Sequence, residues 1–227
     1  MSSSISSSPV TVQCKGVLFD MDGILISSLG SVERSWTKWA LMRGVNAAEA
    51  LQVIHGRRAI DSLGAIRPDL NAEEELKILE DLEIEDREDI VVLPGVRELL
   101  QALPQDRWTV VTSATERLAR VRLTSAGLPV PQCFIHGETV TQGKPHPAPF
   151  LAGAELLGFA PRECVVFEDS ASGVEAGRAA GCIVIATTFS HATERLEGAD
   201  FIVGDLSAMA VSVDGDRLDL RFVPLGR

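Results

Sequence analysis

Asp20 and Asp22 stand two positions apart, directly after the apolar run Val17-Leu18-Phe19 and just before Gly23. In extended geometry they share a face, and a turn at the glycine brings both toward one point. Three more polar groups follow apolar runs in the same way. Thr112 and Ser113 come after Val110-Val111, Gly143-Lys144-Pro145 a short loop after Phe134-Ile135, and Glu168-Asp169 after Val165-Val166-Phe167. Taken singly, these read as a turn, a surface lysine and a helix-start charge pair; it is their joint occurrence at successive strand ends that points to chemistry. Four carboxylates converging on one edge repel one another unless a positive charge holds them. Oxygen donors with no clustered His or Cys favour a hard divalent cation, Mg2+ over Zn2+. Such a cation, the Lys144 ammonium and strand-end hydroxyls suit a phosphoryl group, whose transfer needs charge neutralisation and in-line positioning. The two leading aspartates can then divide the work, one as ionised nucleophile and the other as proton donor and acceptor.

The elements that must position these groups are legible around them. Short apolar runs at 16–19, 108–111, 134–135, 165–167, 183–185 and 201–203 read as strands. Helical signals lie between them: Ser113 with Glu116 as a capping box for a helix closed by Gly127, a helix from about Pro147 to Gly158, and one from about Ala171 to Ala180 ended by Gly181. Strand and helix in alternation predict an α/β layer on a parallel sheet, with ligands at the carboxyl ends of the strands. Residues 30–92 read as all-helical, with Val32, Trp36, Trp39 and Ala40 on one face and Asn71 starting a later helix. The domain plan is a disordered tail over 1–12, a core over 13–29 and 93–227, and a helical insertion over 30–92. Asp214-Gly215, set between alternating apolar residues, predicts a closing hairpin.

Asp20-x-Asp22-Gly23, the Thr112 strand end, Gly143 through Pro147 (GKPHP) and Phe167-Glu168-Asp169-Ser170 with Gly173 and Gly181 resemble, in order, the four motifs of the haloacid-dehalogenase-like hydrolases. The helical insertion resembles that family's alpha-helical cap. His55-Gly56-Arg57-Arg58, residues 108–115 (WTVVTSAT), 143–150 and 165–189 are similar to the glycerol-phosphate, 2-deoxyglucose-6-phosphate and related sugar phosphatases. The resemblance implies a Rossmann-like parallel core with an inserted small helical cap, and Mg2+-dependent hydrolysis of a small phosphorylated sugar or polyol through an aspartyl-phosphate. It implies that Asp20 attacks phosphorus and ligates the metal, and that Asp22 protonates the leaving oxygen, activates water and lends its backbone carbonyl to the metal. Thr112 and the Ser113 amide would hold phosphoryl oxygens, Lys144 would neutralise them and orient Asp20, and Glu168 and Asp169 would complete the metal shell. His55 and Arg58 are candidate leaving-group contacts. A β-phosphoglucomutase-like sugar phosphomutase shares every one of these motifs and is the alternative.

Composition narrows the partners. The 227 residues carry 32 acidic and 21 basic side chains, a formal charge of −11, which argues against nucleic acid, whose affinity comes largely from Lys and Arg. Residues 69–89 hold eleven acids against Lys77 and Arg87; this block reads as the solvated face of a helix, and the rest of the chain is nearly neutral. No run approaches a membrane span, and the Ser-rich start lacks the basic and apolar regions of a secretion signal. The four cysteines form no CxxC pair and suit a reducing cytoplasm. The expected partner is a small phosphorylated metabolite, with no nucleic acid and no membrane, for a monomer or weak homodimer.

Overall fold

The apolar runs become strands of a parallel sheet, and the segment inserted after the first of them becomes helices. The computed structural model describes residues 8–52, 54 and 56–226. The chain begins with β1 (Val10–Cys14), β2 (Gly16–Phe19) and β3 (Ile26–Ser27), then runs through α1 (Leu29–Met42), α2 (Ala47–Leu51), α3 (Ala59–Ile66) and α4 (Ala72–Glu85). It returns through β4 (Val91–Val92), α5 (Val96–Ala102), β5 (Trp108–Val110), α6 (Glu116–Ser125) and α7 (Ala148–Leu157). It ends with β6 (Cys164–Glu168), α8 (Ala171–Ala180), β7 (Ile183–Thr187), β8 (Phe201–Val203), β9 (Ala210–Asp214) and β10 (Arg217–Phe222).

Five strands pair in parallel in the order β5-β2-β6-β7-β8. Every residue of β2 is buried because helices cover both sheet faces. Its side chains alternate: Val17 and Phe19 enter one apolar cluster with Val110 and Phe167, while Leu18 enters the other with Phe150 and Val166. Phe19 stacks on Phe167 at 5.1 Å between ring centroids. The register matters more than the packing. Phe19 lies opposite both Val110 and Phe167, so the residues that follow the three runs leave the sheet at one edge.

Helices α1 to α4 build a separate core around Trp36, Trp39, Leu63 and Leu79. Glu75 lies on its border, only 7% exposed, and accepts from Trp39 Nε1 at 2.8 Å and Arg43 Nε at 2.7 Å. Glu75→Leu strands both donors and should cost about 1–3 kcal/mol, read as a lower urea midpoint. The bond from Arg43, opposed by burial and helped by Trp39, holds the carboxyl below its ordinary 4.5. Its contribution is therefore complete above that value and fades as pH falls through the lower folded one, so the gap between wild type and variant closes in acid.

The structure departs from the sequence reading in four places. Of the tail expected over 1–12, residues 1–7 lie outside the described residues, and from Val10 on the chain is a strand: Val10, Val12 and Cys14 alternate inward, and β1 pairs with β10, which pairs with β9, in an antiparallel sheet. The helical insertion is bounded by strands, since β3 and β4 pair where the chain leaves and re-enters the sheet layer. Thr115 rather than Ser113 caps α6, accepting from Leu118 N at 3.2 Å, because the Ser113 hydroxyl donates instead to the Gly56 carbonyl. Phe134-Ile135 makes only a bridge, through Ile135 to Val111. Among the described residues no helix is long and apolar enough to cross a membrane.

Candidate active site

At the shared sheet edge, Asp20, Glu168 and Asp169 meet around Lys144, and all four are buried. The Lys144 ammonium donates to Asp20 Oδ1 and to Glu168 Oε1 at 2.7 Å each, and to the Val111 carbonyl at 3.2 Å. Glu168 Oε2 accepts from the Asp169 amide, the Ser170 amide and the Ser170 hydroxyl, each at 2.9 Å. Ser170 also caps α8, accepting from Gly173 N, so the positive end of that helix faces the carboxylates. Gly23 lies against Asp169 with φ +87°, and a Cβ there would come within 1.8 Å of Asp169 Oδ2. The turn after Asp20 thus requires glycine on two counts.

Charge explains the electrostatics. Burial pushes the Asp20 carboxyl up to about 7 against the pull of Lys144, with Glu168 adding repulsion. Asp169 is raised well above the ordinary carboxylate range by burial, then by Glu168 and Asp20. Burial alone would lower Lys144, but Asp20 and Glu168 together reverse the direction. Three carboxylates against one ammonium leave the centre short of positive charge. Their oxygens approach within 4.8 Å of one another, and among the described residues no other group of His, Cys, Asp and Glu meets the same test for holding a metal ion. The residues therefore fit a hard divalent cation with oxygen ligands. Asp20 and Asp169 are its more available donors, because Glu168 is already engaged on both oxygens.

Asp22 takes a different neighbourhood. Its side chain accepts from the Ser28 hydroxyl at 2.6 Å and from Arg122 Nη1 at 3.1 Å on each oxygen. Arg122 in turn donates through Nη2 to Glu83 Oε1 at 3.3 Å, across to α4. Burial pushes Glu83 up to about 7 despite Arg122. The sequence reading missed Glu83 by treating the acidic block as a solvated face, and it did not single out Arg122. A sharper signal was present: Glu75, Leu79 and Glu83 recur every four residues on one buried stripe of α4, and Arg122 shares the buried face of α6 with Leu118 and Ala119.

The remaining expected residues fall as follows. Thr112 is buried at the end of its strand and accepts from Ala114 N at 3.1 Å. Ser113 sits beside it and donates to the Gly56 carbonyl at 3.1 Å. Gly56 has φ +71°, and a Cβ there would lie 2.3 Å from Ser170 Oγ, so this loop of the helical layer touches the sheet layer backbone-first. Arg58, a candidate leaving-group contact, lines the cavity between the two layers and also tethers them: it donates to the carbonyls of Gly137, Val140 and Thr141 and to Asp61. Those acceptors engage Nε, Nη1 and Nη2 of its guanidinium. His55 lies outside the described residues.

Between the two layers is a cavity of about 300 Å³, floored by Asp20, Asp22, Thr112 and Asp169 and roofed by Val32, Trp36, Leu76, Glu80 and Glu83. Trp36 thus borders the cavity while Trp39 packs in the helical core.

Residues 14–181 match the haloacid dehalogenase-like hydrolase family. The chain is 44% identical over 208 residues to hexitol phosphatase A of Escherichia coli, covering 88% of this chain and 95% of the relative. It is 35% identical over 221 residues to glycerol-1-phosphate phosphohydrolase 2 of Saccharomyces cerevisiae, covering 91% and 88%. Among solved structures it is similar to a hydrolase from Pseudomonas syringae at a TM-score of 0.77 and 23% identity, covering 85% and 94%. At that identity the likeness concerns the fold.

Proposed function

The chain belongs to the haloacid dehalogenase-like hydrolases, and we propose that within them it is a Mg2+-dependent phosphatase of small phosphorylated sugars or polyols. The observation that carries this reading is the pair Asp20 and Asp169 on the floor of the cavity with Asp22 beside them, and Lys144 donating to Asp20 from behind. Asp20 attacks phosphorus to form an aspartyl-phosphate as the bond to the leaving oxygen breaks, and Asp22 delivers a proton to that oxygen. Asp22 then takes a proton from the water that hydrolyses the intermediate. Lys144 holds Asp20 in place and neutralises phosphoryl oxygens, which Thr112 and the Ser113 amide also bind. Mg2+, held by Asp20, Asp169, Glu168 and the Asp22 carbonyl, would supply charge neutralisation at the transferring group.

The substrate class rests on size and kinship. The cavity, about 300 Å³, lies at the small end of ligand sites, and the helices of residues 29–85 close over it as a cap that excludes bulk water. The relatives named above act, by their names, on hexitol and glycerol phosphates. Its four cysteines are free, in keeping with a reducing cytoplasm.

A panel of sugar, polyol and nucleoside monophosphates assayed for inorganic phosphate release should show the highest kcat/KM on a sugar or polyol phosphate. Uniform rates across the panel would sink the substrate class. β-Glucose 1-phosphate should yield phosphate; formation of glucose 6-phosphate would establish the mutase instead. Chelation should abolish activity, Mg2+ should restore it, and the ion should raise the Tm by the stabilisation that any ligand of the folded state confers.

A further inference from the structure

Arg122 is a helix residue only 3% exposed, and its guanidinium lies between carboxylates of two layers. Nη1 reaches both oxygens of Asp22 at the sheet edge, while Nη2 reaches Glu83 on α4. Burying such a charge is costly, and an apolar replacement of a buried ion pair is often no less stable. Stability therefore does not account for the arrangement. Nor is it saturated: among the described residues Arg122 Nε, though buried, has no hydrogen-bond partner, so the grip on Glu83 is one-pronged where a planar fork could make it two.

Orientation accounts for it better. Asp22 touches Ser28 and Arg122, whereas Lys144 is held by Asp20 and Glu168. The aim of the Asp22 carboxylate is thus set by groups apart from the phosphoryl-binding centre. One of them is linked to the helical layer. We propose that Arg122 is the positioning residue for Asp22, and that Glu83 makes this positioning depend on the helical layer lying over the sheet. The inference rests on the reading of Asp22 as proton donor to the leaving group.

The test exploits leaving groups. kcat/KM reports the steps through departure of the alcohol, so a defect in proton donation weakens it on glycerol 1-phosphate, whose alkoxide needs a proton, far more than on p-nitrophenyl phosphate, whose phenolate does not. Asp22→Asn should lower the glycerol-to-aryl ratio of kcat/KM by about 100-fold or more; an unchanged ratio there removes the underlying reading and this proposal with it. With that contrast in hand, Arg122→Lys, which keeps the charge but loses the fork, should lower the same ratio about tenfold. Glu83→Gln, which keeps volume and leaves Arg122 on Asp22, should lower it by roughly threefold. Should Arg122→Lys fail to fold, Glu83→Gln decides alone. Equal losses on both substrates, or no loss, while Asp22→Asn retains its contrast, overturn the proposal and leave the phosphatase reading standing.

Discussion

Asp20→Asn eliminates turnover and leaves the fold in place. The substitution removes the attacking oxygen while keeping side-chain volume, and loss of a nucleophile from a set of groups that act together costs about 10⁴-fold or more in kcat. Phosphate release from the best substrate measures it, and residual activity near wild type would refute the assignment of Asp20. Stability moves the other way. Burial lifts Asp20 from 3.8 to about 7, so its favourable contribution is complete below 3.8 and is lost as pH rises through about 7. In metal-free buffer the wild type should therefore lose more stability across that window than the uncharged variant, which keeps only the losses from Asp169 and Glu83. The contrast separates a dead enzyme from an unfolded one.

Lys144→Met is expected to damage the fold as well as the chemistry. It leaves Asp20, Glu168 and Asp169 together in a buried site without their ammonium. Removing one partner of a buried ion pair costs about 3–5 kcal/mol, because the charge left behind has neither water nor partner. Urea denaturation without metal should show that loss, and millimolar Mg2+ should recover part of it by supplying the missing charge. Activity should stay low even so, since nothing then orients Asp20. Stability within about 1 kcal/mol of wild type in the absence of metal would mean that Lys144 does not hold these carboxylates.

The centre could be read from the chain because its parts obey local rules. Val17-Leu18-Phe19 and Val165-Val166-Phe167 announce strands, and a polar residue just after such a run falls at the sheet edge whatever the pairing partners are. The β3–β4 pair and the Arg58 tether obeyed no such rule. Two-residue strands have no periodicity to detect, and an arginine that binds backbone carbonyls of a distant loop looks in sequence like one that binds an anion. Val10 to Cys14 is a different case: its alternation was there to be seen, but the serines before it suggested disorder. Glu83 and Arg122 lie 39 positions apart, and each sits in a charge-rich window that resembles a solvated surface until tertiary packing buries it.

At the junction between the layers, Ile26 pairs with Val92 and Ser27 with Val91, so the two ends of the intervening segment are next-door neighbours. A tight turn could join them directly without disturbing any rung of the parallel sheet. Residues 29–90 are in this sense a cassette, able to be lengthened, shortened or swapped while the parallel sheet keeps its order. Sequence change in that stretch is thus free to run at its own rate wherever it spares the Glu83 contact to Arg122.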